Sequence, residues 1–269
     1  MAKPVVLSIA GSDNSAGAGA QADLKAITAQ GGYALTALTC VVAEVPGKVS
    51  AVQAVKPEIV REQIRLSFEA FPIAAVKTGM LYSQAIIRTV AEELSVQFRA
   101  LKTKPWLIVD PVMVASSGDP LLRPGAMREY LRRLFPLADV ITPNLDELSI
   151  LAGEKITTLE RMREAGKRLS DKYGAAFLLK GGHLRGSRAV DLLVESGRVH
   201  RFEAPFIRGV DTHGTGCTYA SALAAQLALG KPLPEAVAAA KHYLTSAIRR
   251  HLRWKGTHAL EHFPARALA

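Results

Sequence analysis

A glycine-rich turn that leads straight into a helix is the part of this sequence best suited to chemistry. The chain reads Asp211-Thr-His-Gly-Thr-Gly-Cys217 and continues into an Ala- and Leu-rich stretch. Gly214 and Gly216 let a ligand approach the backbone closely, and the unpaired amides of residues 215–218 favour an anion at the helix start. The same field should favour the thiolate of Cys217. We therefore predict an anion site, with an ordinary loop before a core helix as the alternative.

Further polar and glycine clusters follow the apolar runs that we predict to be strands. In chain order they are Gly11-Ser-Asp-Asn-Ser-Ala-Gly-Ala-Gly19, Glu44, Lys77-Thr-Gly-Met80, Asp110-Pro-Val-Met113, Pro143-Asn-Leu-Asp-Glu147 and Lys180-Gly-Gly-His183. In open α/β sheets, ligands bind at the carboxyl ends of the strands. We therefore expect these clusters to form one site together with the 211–217 turn.

Strand-like and helix-like segments alternate along the whole chain. The predicted strands, some ending in turns, are 5–10, 35–42, 74–80, 106–113, 140–144 and 177–182, and the predicted helices are 19–30, 57–71, 83–98, 159–172 and the stretch after 217. A hairpin is predicted around Glu195-Ser-Gly-Arg198, joining 191–194 to 199–202. The pattern predicts an α/β fold with a mostly parallel central sheet, helices on both faces and a small antiparallel edge hairpin. Because no linker or repeat interrupts it, residues 1–269 are expected to form a single domain.

Three details of the first third of the chain have structural interpretations. The first helix should bury Ala20, Leu24 and Ile27 on one face. Asp23, in its first turn, is interpreted as compensation of the helix dipole. Cys40 is interpreted as a small buried hydrophobe.

The composition narrows the class of protein. Hydrophobic residues make up 49% of the chain and charged residues 22%, which suits a sizeable core. The net charge is +10, but the basic residues are scattered except for a cluster near the C-terminus: Arg249, Arg250, Arg253 and Lys255, beside Trp254. Without a recognition motif, this cluster indicates a solvated helix end rather than nucleic-acid binding, and the positive charge suits an enzyme of phosphorylated substrates.

The sequence also bears on location. No apolar run approaches the ~20 residues that span a bilayer, and the N-terminus lacks the features of a signal peptide. Cys40 and Cys217 lie far apart without metal-ligand spacing, which favours a reducing compartment. We expect a cytoplasmic protein that contacts neither membrane nor nucleic acid.

Two nucleotide-binding motifs are excluded by their context. Gly17-Ala-Gly-Ala-Gln-Ala22 satisfies the dinucleotide pattern G-x-G-x-x-G/A, but the strand before it ends near Ala10, too early for a Rossmann fingerprint. The Walker A pattern G-x-x-x-x-G-K-[ST] does not occur, which excludes a P-loop kinase.

The motifs together resemble a known enzyme family. Ile9-Ala-Gly-Ser-Asp-Asn-Ser-Ala-Gly-Ala-Gly-Ala-Gln-Ala-Asp-Leu-Lys25, Lys77-Thr-Gly-Met-Leu81, Asp110-Pro-Val-Met113, Ile141-Thr-Pro-Asn-Leu145, Lys180-Gly-Gly-His183 and Thr212-His-Gly-Thr-Gly-Cys217 are similar to motifs of the hydroxymethylpyrimidine and phosphomethylpyrimidine kinases of thiamine biosynthesis. These kinases belong to the ribokinase superfamily. The resemblance runs from about residue 5 to about residue 250 and includes the spacing of the motifs.

The resemblance implies ATP- and Mg²⁺-dependent phosphorylation of a hydroxymethylpyrimidine and then of its monophosphate. It implies that the amides of Gly214, Thr215, Gly216 and Cys217 hold the transferring phosphoryl group and that Lys180 neutralises phosphate oxygens. Cys217 is either the general base or only part of the amide cradle.

The resemblance assigns the remaining site residues as well. Asp110 and Glu147 would hold magnesium, although helix capping is nearly as good an interpretation of Glu147. Asn144 and Thr212 would contact the nucleotide. Glu44 would read the aminopyrimidine edge, with Gly11, Ala18 and Met80 around the ring. The alternatives are a loop acid facing solvent for Glu44 and core packing for Met80.

Two departures from the family pattern lie near the expected pyrimidine pocket. The loop after Glu44 reads Val45-Pro-Gly-Lys48 where relatives usually have Asn-Thr, and Ala16 stands where glycine is common. Both departures therefore bear on the identity of the substrate and not on the class of reaction. The alternatives are a pyridoxal or pyridoxine kinase of the same fold and a non-catalytic pyrimidine-binding protein. A homodimer is expected.

Overall fold

An eight-stranded sheet forms the centre of the molecule. The structure is a computed structural model that describes residues 2–113, 125–182, 184, 187–210 and 213–263. The strand order is β10-β9-β8-β7-β6-β5-β1-β2. Strands β8, β7, β6, β5, β1 and β2 pair parallel, whereas β9 pairs antiparallel with both β8 and β10. The fold class predicted from the sequence is confirmed.

Strands and helices alternate along most of the chain, as predicted. The strands are β1 Val5–Ala10, β2 Tyr33–Leu38, β3 Cys40–Val45, β4 Lys48–Ala54, β5 Ile73–Thr78, β6 Trp106–Val109, β7 Val140–Ile141, β8 Ala176–Leu179, β9 Arg188–Glu195, β10 Arg198–Pro205, β11 Leu252–Trp254 and β12 Thr257–Ala259. The helices are α1 Gly19–Ala29, α2 Pro57–Ala70, α3 Gln84–Ala100, α4 Ala126–Glu129, α5 Leu145–Ala152, α6 Leu159–Tyr173, α7 Thr215–Ala228 and α8 Leu233–Arg249.

Helices cover both faces of the sheet, which explains the continuous apolar strands. In β1, Leu7 and Ile9 pack into a core shared with α2, α3, α5 and α6. Val6, on the opposite face, packs into a core shared with α1, α7 and α8. Because consecutive side chains of a strand point to opposite faces, both sets must be apolar.

The edge hairpin is confirmed. Strands β9 and β10 pair antiparallel around Ser196 and Gly197, which both have positive φ. The paired residues include the whole predicted hairpin. It forms the edge of the sheet beyond β8.

The second predicted strand, 35–42, is wrong in its extent. Strand β2 ends at Leu38, and the chain turns away at Thr39, whose hydroxyl donates to the carbonyl oxygen of Met80 at 2.7 Å. From Cys40 the chain forms β3, which pairs with β4 in a separate two-stranded sheet. Glu44 therefore lies on a strand and not in a loop, and only Pro46 and Gly47 remain as the turn.

The interpretation of α1 needs two corrections. Leu24 is 38% exposed, because the buried face of α1 is centred on Ala22, Asp23 and Ala26. Asp23 does not serve the helix dipole at the surface. It is fully buried and forms an ion pair with Lys77 at 2.8 Å.

The basic C-terminal cluster is not a plain helix end. Helix α8 ends at Arg249, whereas Arg253 belongs to β11, which pairs with β12 in a small ribbon.

Among the described residues, no helix combines the length and the apolar character needed to cross a membrane.

Candidate functional site

A cavity of about 440 Å³ opens at the carboxyl edge of the parallel strands. Every predicted site residue that the structure describes lines this cavity. They are Gly11, Ala18, Glu44, Met80, Asp110, Asn144, Glu147, Lys180, Gly214, Thr215, Gly216 and Cys217. Thr212 and His183 lie outside the described residues.

The turn before α7 depends on glycine. Gly214 is the N-cap of α7 with φ 78°, a left-handed conformation. A Cβ on Gly214 would lie 1.8 Å from the carbonyl oxygen of Gly17, so the turn packs directly on the first glycine-rich loop. A Cβ on Gly216 would lie 3.3 Å from Lys180 Nζ and 3.7 Å from Asp110 Oδ2. The helix start, a lysine and a carboxylate therefore meet at one point.

An ion pair joins Lys180 and Asp110 beside this turn. Lys180 follows β8 and donates from Nζ to Asp110 Oδ1 at 2.8 Å, and Thr142 donates to the same oxygen at 2.9 Å. Burial raises the pKa of Asp110, but Lys180 and Lys77 outweigh it and bring this pKa below its ordinary value. Both members of the pair are therefore charged at neutral pH. The pair therefore places an oriented cation beside the start of α7.

Glu147 and Asn144 form a capping box at the start of α5. The Glu147 amide donates to Asn144 Oδ1 at 2.9 Å, and the Asn144 amide donates to Glu147 Oε2 at 2.8 Å. The capping interpretation of Glu147 is confirmed. Burial raises the pKa of Glu147 to about 7, with Asp110 acting in the same direction and Lys180 against it.

The two carboxylates also suit a magnesium ion. Mg²⁺ keeps several waters and takes one or two carboxylates together with substrate phosphates. Asp110 raises the pKa of Glu147, a conflict between two carboxylates that a cation would relieve. Within the described part of the chain, no group of three or more His, Cys, Asp or Glu side chains is arranged to hold a metal ion. The donor set fits an ion that arrives with phosphates.

Cys217 does not have the predicted thiolate character. Burial raises the pKa of Cys217 to about 11, Lys77 lowers it in part, and Asp23 and Asp110 raise it further. The helix start favours an anion, but removal from water and two nearby carboxylates oppose one more strongly. The thiol is therefore protonated at neutral pH.

Glu44 lies on the wall of the cavity, half-buried on β3. Its amide donates to Asn14 Oδ1 at 2.7 Å, which ties the β3–β4 ribbon to the first glycine-rich loop. Burial and Asp13 raise the pKa of Glu44, and His213 lowers it. Close by, a Cβ on Gly11 would lie 2.6 Å from Cys40 Sγ and 3.6 Å from Met80 Sδ. Cys40 is fully buried, as predicted.

Asp13 organises the first glycine-rich loop, a role that was not predicted from the sequence. Its carboxylate accepts from the amides of Ser15 at 2.7 Å, Gly17 at 3.1 Å and Ala18 at 2.7 Å. It also lies 3.0 Å from His213 Nε2. Asp13 therefore shapes the first loop and links it to the turn before α7. An Asp that bonds the amides of following residues is a known turn signal, so this role could have been predicted.

Two buried ion pairs near the cavity had no sequence signal. Lys77 pairs with Asp23 below the site, and Ser8 and Ser221 donate to that carboxylate at 2.6 and 2.7 Å. On the cavity wall, Lys241 pairs with Asp191 at 2.5 Å. The partners come from different elements, and only the fold brings them together.

Ala16, one of the two departures noted in the sequence, lies in a strained conformation with φ 58°. A left-handed conformation costs an L-residue about 1–2 kcal/mol, whereas glycine costs about 0.5–1 kcal/mol in chain entropy. Ala16→Gly should therefore raise the free energy of unfolding by up to about 1 kcal/mol in urea titrations. Ala238→Gly, at an exposed position inside α8, is the matched control and should lower it by about 0.5–1 kcal/mol. A loss at both positions would refute the strain at Ala16.

Comparison of the sequence with known proteins points in the same direction. A family model described as phosphomethylpyrimidine kinase matches residues 13–261. The chain is 46% identical over 244 residues to the thiamine biosynthesis bifunctional protein ThiED of Geobacter sulfurreducens, covering 91% of this chain and 49% of that protein. It is 42% identical over 245 residues to the hydroxymethylpyrimidine/phosphomethylpyrimidine kinase of Rhizobium meliloti, covering 91% and 90%. The chain thus spans about half of the bifunctional relative and most of the kinase.

Solved structures share the fold. An ADP complex of Bacillus subtilis pyridoxal kinase superposes with a TM-score of 0.86 at 34% identity, covering 97% of this chain and 98% of that one. The phosphomethylpyrimidine kinase of Clostridium difficile 630 superposes with a TM-score of 0.80 at 39% identity, covering 91% and 100%. These likenesses confirm the ribokinase-like fold. Because the family match and the Rhizobium relative both span most of its length, this chain belongs to the phosphomethylpyrimidine kinase family.

Proposed function

We propose that the protein uses ATP to phosphorylate 4-amino-5-hydroxymethyl-2-methylpyrimidine, and then its monophosphate, in thiamine biosynthesis. One observation carries the proposal beyond family membership. A single cavity holds the glycine-rich start of α7, the Lys180–Asp110 pair and, on the wall formed by the β3–β4 ribbon, the carboxylate of Glu44. An anion site and a group able to read an aminopyrimidine are what this transfer requires.

The residues divide the work of the transfer. The hydroxymethyl oxygen attacks the γ-phosphorus of ATP, the bond to the bridging oxygen breaks, ADP leaves, and the hydroxyl proton passes to a base or to solvent. The amides of Gly214–Cys217 donate hydrogen bonds to the phosphoryl oxygens and so stabilise the negative charge that develops on them. Lys180, already oriented by Asp110, neutralises the same charge.

Magnesium belongs to the proposal. Asp110 and Glu147 would hold it, directly or through its waters, and it would add positive charge to the phosphates. Asn144 and Thr212 are proposed nucleotide contacts. Asn144 uses its backbone amide and its side-chain Oδ1 in the capping box. Its side-chain nitrogen Nδ2 is therefore the group proposed to contact the nucleotide.

Glu44 provides a test of the pyrimidine end. If its carboxylate accepts from the exocyclic amine, Glu44→Ala should weaken pyrimidine use by about 1–3 kcal/mol in kcat/KM, because a polar contact is left unpaired. KM for ATP should not change. Glu44→Gln, which keeps an acceptor oxygen, should lose less than Glu44→Ala. An equal loss for pyrimidine and ATP would refute the role.

Pyridoxal or pyridoxine phosphorylation is the second candidate. It is favoured by one observation, the likeness to Bacillus subtilis pyridoxal kinase over 97% of this chain. An ADP-release assay across hydroxymethylpyrimidine, its monophosphate, pyridoxine and pyridoxal separates the two candidates. The proposal expects the highest kcat/KM on the two pyrimidines, and a higher value on a pyridine would reverse it.

A cytoplasmic homodimer completes the proposal. Cys40 and Cys217 are both free thiols, which suits a reducing compartment that supplies ATP.

Val41 and Val45, on the β3–β4 ribbon, are 54% and 52% exposed, an apolar surface that a second copy could cover. Light scattering should give about twice the chain mass of 28.8 kDa. Val41→Lys combined with Val45→Lys should give the monomer mass.

A further inference from the structure

The segment that follows β12, residues 260–263, packs back against α7 and α8. Leu260 and His262 are 3% and 2% exposed, although they lie near the end of the described chain. The Glu261 amide donates to the carbonyl oxygen of Ala247 at 3.3 Å, and the Tyr243 hydroxyl donates to that of His262 at 3.1 Å. The segment is therefore attached to α8 on one side and free to contact α7 on the other.

The imidazole of His262 has a defined tautomer. Its Nδ1 lies 3.1 Å from the carbonyl oxygen of Leu260, which can only accept, so Nδ1 carries the proton. Nε2 is then the acceptor, and the hydroxyl of Thr218 donates to it at 3.1 Å. Thr218 is fully buried and directly follows Cys217. Its amide donates to the carbonyl oxygen of Gly214 at 2.9 Å and so closes the first turn of α7.

We propose that His262 is a positioning residue, which acts through Thr218 to hold the first turn of α7 in place and with it the amides of Gly214–Cys217. The inference rests on the proposed role of that turn in phosphoryl transfer. Positioning of this kind matters because displacing a reacting group by about 1 Å can cost 10²-fold in rate. His262 lies one residue beyond the part of the chain that the family model matches.

The surroundings keep the imidazole neutral. Burial and Lys25 lower the pKa of His262 to about 4, against the opposing effects of Glu261 and Asp23. Thr218 on α7 and Tyr243 on α8 also face the segment with their hydroxyl groups. Because the pKa in the folded state lies below the ordinary 6.5, the contact is complete at neutral pH. Its contribution to stability is lost as pH falls from about 6.5 to about 4.

Four variants test the proposal: His262→Leu, His262→Gln, Thr218→Val and the double variant His262→Leu/Thr218→Val. With the pyrimidine and ATP saturating, and well below each melting temperature, His262→Leu and Thr218→Val should each lower kcat about 10–100-fold. His262→Gln should recover most of kcat, because its amide oxygen can accept from Thr218. The double variant should be no slower than the single ones, since both remove one contact. His242→Leu, at an exposed histidine of α8, is the matched control and should keep wild-type kcat.

Each outcome decides the matter. A lower melting temperature with unchanged kcat for His262→Leu would show that the residue only packs, and equal losses for His262→Gln and His262→Leu would show that the accepted hydrogen bond is irrelevant. Additive losses in the double variant would also overturn the proposal. Lys180→Met is measured alongside. If Lys180→Met is inactive while the His262 and Thr218 variants keep wild-type kcat, the proposed function holds and the inference fails. Full activity of Lys180→Met would instead refute the proposed roles in the site.

Discussion

Lys180→Met should lower kcat/KM for both ATP and the pyrimidine about 10²–10³-fold, the usual cost of removing one preorganised group that stabilises transition-state charge. Lys180 is the cation that Asp110 already orients beside the turn before α7. Methionine keeps most of the apolar length of the side chain but removes its charge and its hydrogen bond to Asp110. Steady-state ADP release, measured separately as a function of each substrate, gives the loss.

The same variant should also lose stability. Asp110 is 2% exposed, and breaking a buried ion pair by removing one partner costs about 3–5 kcal/mol. Lys77 remains near Asp110 and should reduce this cost. The rates must therefore be measured well below the melting temperature. Lys104→Met, which removes an ion pair with Asp139 at the opposite ends of the strands, is the control and should keep full activity. Normal turnover by Lys180→Met would exclude it from the transfer.

Cys217→Ala should lower kcat about 10²–10⁴-fold if the thiol is the general base. The structure adds a sign to this expectation. With a pKa of about 11, only a small fraction of the thiol is deprotonated at neutral pH, and this fraction rises tenfold with each unit of pH. In the wild-type enzyme kcat should therefore increase between about pH 7 and pH 9. Cys217→Ala should show a flat profile over the same range.

Two further variants sharpen the result for Cys217. Cys217→Asp supplies a different base at the same position and should recover much of the rate without the alkaline increase. Cys40→Ala removes the other free thiol and should leave the alkaline increase in place. Near-normal turnover by Cys217→Ala would mean that the thiol is not the base and that the amides and Lys180 carry the transfer.

Much of the fold was accessible from the sequence because its signals are local. The continuous apolar run 5–10 predicts a strand buried on both faces, and Glu195-Ser-Gly-Arg198 predicts a hairpin from its turn residues alone. The boundary at Thr39 could not be predicted, since residues 35–42 are apolar or β-branched throughout. The strand ends there because Thr39 bonds the carbonyl oxygen of Met80, a residue far away in sequence.

The candidate site shows the same division. Its members could be chosen because each sits at the end of an apolar run, and a parallel sheet brings all such ends to one edge. Their electrostatics could not. From the sequence, Asp23 is an acid near the start of α1, and only the fold shows that it pairs with Lys77 beneath the cavity. The thiolate predicted for Cys217 fails because its pKa depends on burial and on carboxylates from other elements.

The β3–β4 ribbon has a consequence for how such an enzyme changes over time. The ribbon forms its own sheet and carries Glu44, whereas Asp110 and Lys180 follow strands of the central sheet. If Glu44 reads the acceptor ring as proposed, mutations in the ribbon would alter which ring is accepted while leaving Asp110 and Lys180 in place. On that reading, acceptor choice and phosphoryl transfer would depend on separate sets of residues, so substitutions within the ribbon, residues 40–54, would be the first route to a new acceptor.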